Sequence, residues 1–315
     1  MNYKTPNLKY LLVIPFSFYL FSIITEYNLT LLYSTWYLSF YVAITSSDSI
    51  NITLLLPLLV TINILIYSEQ TVLKLMYGMA TITHYFRLTE LVLYKYNMEN
   101  LQRVVFVHWW HDCRFVEQIS DIKNEFKSLL FTGSRYFLFS SVSYYLLTKL
   151  MFHGYLYIFR YMLANLFFIS NMYLLDIGYR IPLLLLTNTV VPPSMNNIWL
   201  TSTMREFWTL RWNSVIQNML HKSVFKPTKK ITKNNTISLY ATFFVSAILH
   251  VYPVLLSKIE KKYCIMMLLY FMIQPIILKL EHFFDLKGSF WFFLAGLLPN
   301  YLFMEPFLQC FEFTH

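Results

Sequence analysis

Ala241-Thr242-Phe243-Phe244-Val245-Ser246-Ala247-Ile248-Leu249-His250 places nine mostly apolar residues before a histidine, and Val251 and Tyr252 follow it. The run sits in a stretch near 238–257 that is long enough to cross a bilayer as a helix, which takes ~20 apolar residues. Polar groups at membrane depth are expensive, about 2.5–3.5 kcal/mol for a central charge on insertion scales, so each is a functional candidate. A neutral imidazole in such a place can accept a proton, near working pH unless burial lowers its pKa. The structural alternative for His250 is a hydrogen bond across helices.

Working outward, runs of similar length recur near 8–25, 29–45, 50–67, 75–94, 128–149, 155–177, 262–281 and 289–308. The span near 75–94 carries His84, Arg87 and Glu90, which line a cavity or mark a half-buried helix. The composition agrees with a membrane chain. Of 315 residues, 57% are hydrophobic and 13% charged, against roughly 25% charged in soluble domains. Mean hydropathy is +0.48. Aromatic residues, at 19%, suit lipid contact and interfacial anchoring. These features predict an all-α, polytopic membrane protein of about 8–9 transmembrane helices, with interfacial or re-entrant pieces around an intramembrane cavity. Ile181 to Val191 is too short to cross and runs into Pro192-Pro193, so a re-entrant or interfacial piece is expected there. The stretches 96–127 and 194–236 read as lying outside the hydrocarbon core.

Lysine and arginine bias sets orientation. Lys4 and Lys9 precede the first span, and Lys222, Lys226, Lys229, Lys230 and Lys233 cluster with no acid among them. A cytosolic amino terminus puts 96–127 and 194–236 on the cytosolic side, at the cost of placing Lys258, Lys261 and Lys262 opposite. The net charge of +9 carries no nucleic-acid motif and fits attraction to anionic headgroups or, equally, an ordinary positive-inside bias. Cys113, Cys264 and Cys310 are far apart, so neither a disulfide framework nor a zinc site is expected. Glu281, His282 and Asp285 cluster at a span end, where an interfacial cap is the simpler reading than a metal site.

The second region of interest is Arg205-Glu206-Phe207-Trp208-Thr209-Leu210-Arg211-Trp212-Asn213. Read as one helix, it puts Trp208 and Trp212 on a shared face and Phe207 with Arg211 on another. That describes an amphipathic interfacial helix with rings in the headgroup zone and Arg205 and Arg211 available for phosphates.

This segment resembles the signature of the wax synthase family, in which an acid precedes Phe-Trp-Gly-Arg-Arg-Trp and then Asn or His. Two further family elements follow in order: a Val-Tyr-x-Pro-like piece at Val224-Phe225-Lys226-Pro227, then Ala-Thr-Phe-x-Val-Ser-Gly-x-x-His at Ala241–His250. Trp110-His111-Asp112-Cys113-Arg114 is weakly similar to a His-Asp-x-Arg element of fungal-type relatives. The wax synthase family stands with the membrane-bound O-acyltransferases. The resemblance implies His250 and Asn213 as catalytic residues, with Glu206, Phe207, Trp208, Arg211 and Trp212 in substrate binding. It also implies acyl-CoA as co-substrate with no resident cofactor or metal, a lipid or long-chain alcohol as acceptor, and residence in the endoplasmic reticulum membrane. On this reading residues 1–127 hold amino-terminal transmembrane helices and a cytosolic loop, and 128–315 the acyltransferase region, in one integrated membrane domain. Thr209 and Leu210 depart from the family glycine and first arginine, and Val251 from the acid that often follows the histidine. Those departures keep an inactive family member open as an alternative, beside a lipid or small-molecule transporter. Neither inverted repeats nor paired broken helices favour the transporter.

Overall fold

The structure, a computed structural model, describes residues 117–150, 156–256 and 259–310 together with Phe86, Arg87, Glu90 and Tyr94. The expected spans near 8–25, 29–45 and 50–67, most of that near 75–94, His84 and the Trp110–Arg114 motif lie outside the described residues.

The described chain is mostly helical: α1 over Ile122–Lys149, α2 over Leu156–Thr187, α3 over Met204–Glu206, α4 over Ser214–Leu220, α5 over Lys226–Thr232, α6 over Asn235–Leu256, α7 over Lys261–Phe283 and α8 over Ser289–Cys310. Among the described residues the sheet content is one short antiparallel ladder. It pairs β1 (Glu117–Gln118) with β2 (Thr189–Val190) and places Glu117 opposite Val190. Helix α1 lies along α2, α6 along α7, and α7 along α8.

Local chemistry explains the boundaries. Asp121 caps α1 by accepting from the Asn124 N–H (3.1 Å), and the buried residues Leu129, Tyr136, Ser140, Ser143 and Leu147 form its stripe against α2. Asn234 caps α6, its Oδ1 accepting from Thr236 N–H (2.8 Å) and Ile237 N–H (3.2 Å). The main core joins α2, α6, α7 and α8 through Ala164, Phe167, Ala247, Met267, Phe271 and Met304. Ala164 and Ala247 are fully buried, and such small residues let helix backbones approach closely.

The expected spans near 238–257, 262–281 and 289–308 coincide with α6, α7 and α8. Among the described residues three helices are long and apolar enough to cross a membrane: Ile158–Thr187, Asn235–Leu255 and Lys261–Phe283. Helix α1 covers the expected 128–149 but begins earlier, in the charged stretch from Ile122, and stands outside those three. Its outward face exposes Phe131, Phe137, Leu138 and Tyr145, an apolar surface of the kind that lipid contact accounts for.

Two expectations need correction. Ile181–Val191 is not a separate re-entrant piece, because α2 runs unbroken to Thr187 with Pro182 inside it. Proline removes one hydrogen bond from a helix, but neighbouring structure tolerates that loss in membrane helices. What ends α2 is Asn188, whose φ of 55° is left-handed and whose N–H donates to Leu184 O (2.9 Å). Likewise, 205–213 is not one amphipathic helix. After the single turn of α3 the backbone opens into a wide π-type turn over Phe207–Arg211, closed by Trp212 N–H to Phe207 O (2.9 Å). The wider turn brings Phe207, rather than Trp208, onto Trp212, with ring centroids 5.2 Å apart.

Within the helical layer a polar cluster ties α2 to α8. Arg160 Nη1 donates to Glu305 Oε2 (2.9 Å), Tyr161 Oη donates to the same oxygen (3.1 Å), and Gln309 Nε2 donates to Oε1 (3.0 Å). Replacing Arg160 by Leu is expected to destabilise the fold by ~3–5 kcal/mol, since it leaves a largely buried carboxylate without its cation. The Arg160→Leu/Glu305→Leu double variant is expected to recover most of that loss. Thermal unfolding of the three proteins in detergent checks both statements.

Candidate active site

The segment between α2 and α6 is laid against the helices by polar contacts that its own sequence supplies. Asp176 on α2 accepts from Ser194 N–H (2.9 Å), and Ser194 O accepts from Ser214 N–H (2.8 Å). Asn196 N–H donates to Arg211 O (3.0 Å), closing the loop on itself. Thr203 to Glu206 spells a capping box: Thr203 Oγ1 accepts from Glu206 N–H (3.0 Å), while Glu206 Oε2 reaches back to Ser202 N–H (2.9 Å).

The remaining donors of α3 are met from across the fold. Buried Glu281 of α7 accepts from Met204 N–H (2.6 Å) and Arg205 N–H (3.0 Å), and also from Trp291 Nε1–H of α8 (2.9 Å). A carboxylate at a helix amino terminus satisfies orphan donors and meets the positive end of the backbone dipoles. Gly288 adds a fourth tie, N–H to Ser202 O (3.0 Å), from a backbone at φ 101° that favours glycine. Glu281 is thus a tertiary cap, and among the described residues no cluster of His, Cys, Asp and Glu is arranged to hold a metal.

Between this segment, α4, α6 and the carboxyl-terminal end of α7 lies a cavity of about 1440 Å³. It exceeds the ~300–1,000 Å³ typical of pockets for one small ligand, so it has room for more than one small molecule. Its lining includes His250, Asn213, Trp208 and Trp212. Four of the seven residues expected at the site therefore share one space, although the distances along the chain are long.

His250 projects from the carboxyl-terminal half of α6, where residues 239, 242, 243, 246 and 249 also line the cavity, at the spacing of one helical face. Its ring stacks on Phe271 (4.4 Å between centroids, 30°) and meets Phe303 edge-on. Its Nδ1 lies 2.7 Å from Ser246 O. A carbonyl only accepts, so Nδ1 carries the hydrogen and Nε2 keeps the lone pair. Asn213 sits at φ 41°, ψ 67° and caps α4, its Oδ1 accepting from Ile216 N–H (3.2 Å). With the oxygen so occupied, the Nδ2 amide is the end left to donate; among the described residues it has no acceptor.

The other three expected residues support the wall from behind. Phe207 stacks on Trp212, which in turn stacks on Phe168 of α2. Arg211 Nε donates to Glu206 Oε1 (2.8 Å) and Nη1 to Asn196 O (3.3 Å). Lys222, from the lysine cluster, is paired with Glu90 (3.0 Å). The cations that do line the cavity include Arg205, exposed and with no side-chain acceptor among the described residues, and Lys279, whose ammonium lies 5.3 Å from the centroid of the Tyr240 ring. Trp208 is held by Gln274, fully buried, which accepts from Trp208 Nε1–H (3.1 Å) and donates to Tyr270 O (3.2 Å). Gln274 went unnoticed in the sequence; a polar side chain in the apolar run Leu268–Ile277 was the available signal. His221, another lining residue, stacks on Phe225. Burial, then the neighbouring Lys226, Lys222 and Lys229, push its pKa below the ordinary value.

Residues 191–273 match the Membrane bound O-acyl transferase family. The matched stretch contains α3 to α6, most of α7, and with them most of the cavity wall including Asn213 and His250. Neither curated proteins nor solved structures give a match to the chain. The family match and the three long apolar helices together support an integral membrane protein, and the match points to O-acyl transfer.

Two outcomes follow from the caps. Glu281→Ala is expected to lower thermal stability by about 1–3 kcal/mol, through donors left buried without a partner, and to weaken any activity of the cavity more than a surface substitution does. The bonds from Ser202 N–H and Arg211 hold the Glu206 carboxyl below its ordinary value of 4.5. Its contribution to stability is therefore fully present above that pH and is lost as pH falls through the lower, folded value. Melting curves taken from neutral pH downward are expected to be less acid-sensitive in Glu206→Gln than in the wild type.

Proposed function

We propose that this protein transfers an acyl group from acyl-CoA to the hydroxyl of a lipid or long-chain alcohol, forming an ester within the membrane. The observation that carries the reading is the shared cavity: a histidine whose Nε2 lone pair and an asparagine whose amide donor are left over among the described residues line one apolar-walled space. His250 Nε2 takes the hydroxyl proton as the alcohol oxygen attacks the thioester carbonyl carbon. The Asn213 Nδ2–H donates to the oxyanion that develops there. The tetrahedral intermediate collapses with cleavage of the C–S bond, and His250 returns the proton to the departing thiolate. No acyl-enzyme is formed.

The shape of the site supports a donor with a charged head and a long arm. Tyr240 and Lys279 mark one level of the cavity, and His250 lies ten residues further along α6, ~15 Å at the helical rise per residue. Coenzyme A has that form, phosphates at one end and thiol at the other. Arg205 and Lys279 are the cations assigned to its phosphates. Arg211, bound to Glu206, supports the segment instead. The apolar faces of α6 and the rings of Trp208 and Phe243 (5.5 Å apart, edge-on) suit the acyl chain, and a water-poor site limits hydrolysis of the thioester. The resemblance to wax synthases favours a long-chain alcohol as acceptor and the endoplasmic reticulum as the compartment.

Membranes containing the wild type are expected to form labelled ester from long-chain acyl-CoA and a member of a panel of lipid alcohols. His250→Ala is expected to reduce the rate ~10²–10⁴-fold, the usual worth of a general base. Asn213→Asp keeps a cap oxygen and removes the amide donor, so it is expected to reduce the rate ~10²–10³-fold with little change in melting temperature. Unchanged activity in either variant removes that residue from the mechanism. No ester with any acceptor, at normal expression, favours an inactive relative, and the Thr209 and Leu210 departures then become its explanation.

A further inference from the structure

The lysine cluster between the cavity segment and α6 has a geometry that its sequence conceals. Lys226, Lys229, Lys230 and Lys233 follow one another at spacings of three, four and seven from the first, which is one stripe of a helix. Helix α5 carries three of them, and Lys233 is its cap residue. All four are exposed. Among the described residues none is in an ion pair, unlike Lys222 one turn earlier, which is held by Glu90. None of the four lines the cavity. On the face away from the stripe Ile231 is 82% exposed. Two residues after Lys233 the apolar helix α6 begins, so the stripe stands within a turn or two of the start of a membrane span.

We infer that α5 is a docking surface for anionic phospholipid headgroups, lying at the bilayer surface with its four lysines on lipid phosphates and carboxylates and Ile231 at the acyl boundary. The charge has no counterion on the described protein, and its position beside α6 sets it at headgroup depth. A juxtamembrane group of four or more basic residues is attracted to such a surface, and an exposed apolar residue on the face opposite basic ones is the pattern of an interfacial helix. The alternative source of the same chemistry, the phosphates of a soluble donor, is disfavoured because the stripe does not line the cavity. The inference needs only that α6 spans the membrane, and it stands or falls separately from acyl transfer.

The test uses the full-length protein in phosphatidylcholine vesicles containing a minority of phosphatidylserine. Electron paramagnetic resonance of spin-labelled phosphatidylserine and phosphatidylcholine then reads which lipid the protein retains at its surface. The wild type is expected to retain phosphatidylserine several-fold over phosphatidylcholine, with the preference weakening as salt is added. The K226Q/K229Q/K230Q/K233Q variant is expected to lose most of that preference, and the corresponding four-arginine variant to keep it. Equal preference in the wild type and the four-glutamine variant overturns the inference and leaves the lysines as a topology signal. So does loss of the preference on adding free coenzyme A at matched ionic strength, which assigns the stripe to a soluble anion. Should the glutamine variant fail to fold, the arginine variant decides: loss of preference with charge intact also overturns it.

Discussion

A buried carboxylate, Glu281, accepting two backbone N–H groups of α3 and the indole N–H of Trp291, is the contact on which the candidate site depends. Helix α3 is a single turn and has no stability of its own, since nucleating a helix costs more than one turn returns. Its donors would be left unpaired in a buried place without the carboxylate. By meeting them, Glu281 pins the start of the cavity segment to α7 and α8 together. The capping box at Thr203–Glu206, the Arg211 ion pair and the Ser194 bonds then hold the rest of the segment, so that Trp208, Trp212 and Asn213 stand where the cavity needs a wall.

Economy of polar groups runs through the same region. Asn213 spends its oxygen on the cap of α4, and that leaves its amide. His250 spends one ring nitrogen on the carbonyl of the preceding turn, and that leaves the other. Gln274 holds Trp208 with its oxygen and the α7 backbone with its nitrogen. In a poorly solvated space an unpaired donor or acceptor is costly, so the groups with a spare end are the ones to suspect of meeting substrate. The same reasoning separates the cations: Arg211 and Lys222 are occupied by carboxylates, while Arg205 and Lys279 border the cavity without one among the described residues.

Much of this was legible in advance, for reasons that are local. Long apolar runs located α6, α7 and α8 to within a few residues. Of the cavity-lining residues, His250 was marked by standing in such a run and Asn213 by closing a motif of recognisable order. The misreadings were also local in origin. Pro192-Pro193 suggested a separate short piece over Ile181–Val191, whereas α2 continues through Pro182 and Asn188 ends it. The spacing of Trp208 and Trp212 assumed 3.6 residues per turn, and the backbone widens there to a π-type turn that brings Phe207 to Trp212 instead.

The sequence by itself determined apolar helices of membrane length, three of them among the described residues, with His250 inside one of them, and a basic, tryptophan-rich segment, because hydropathy and motif order are properties of neighbours. Only the tertiary structure decided which charges are spent and which are available. Lys222 and Glu90 are 132 positions apart, and Glu281 lies 77 positions from the amide it caps. No local pattern encodes such pairings: they exist because desolvated charges and backbone donors must find partners, and folding determines which ones come within reach.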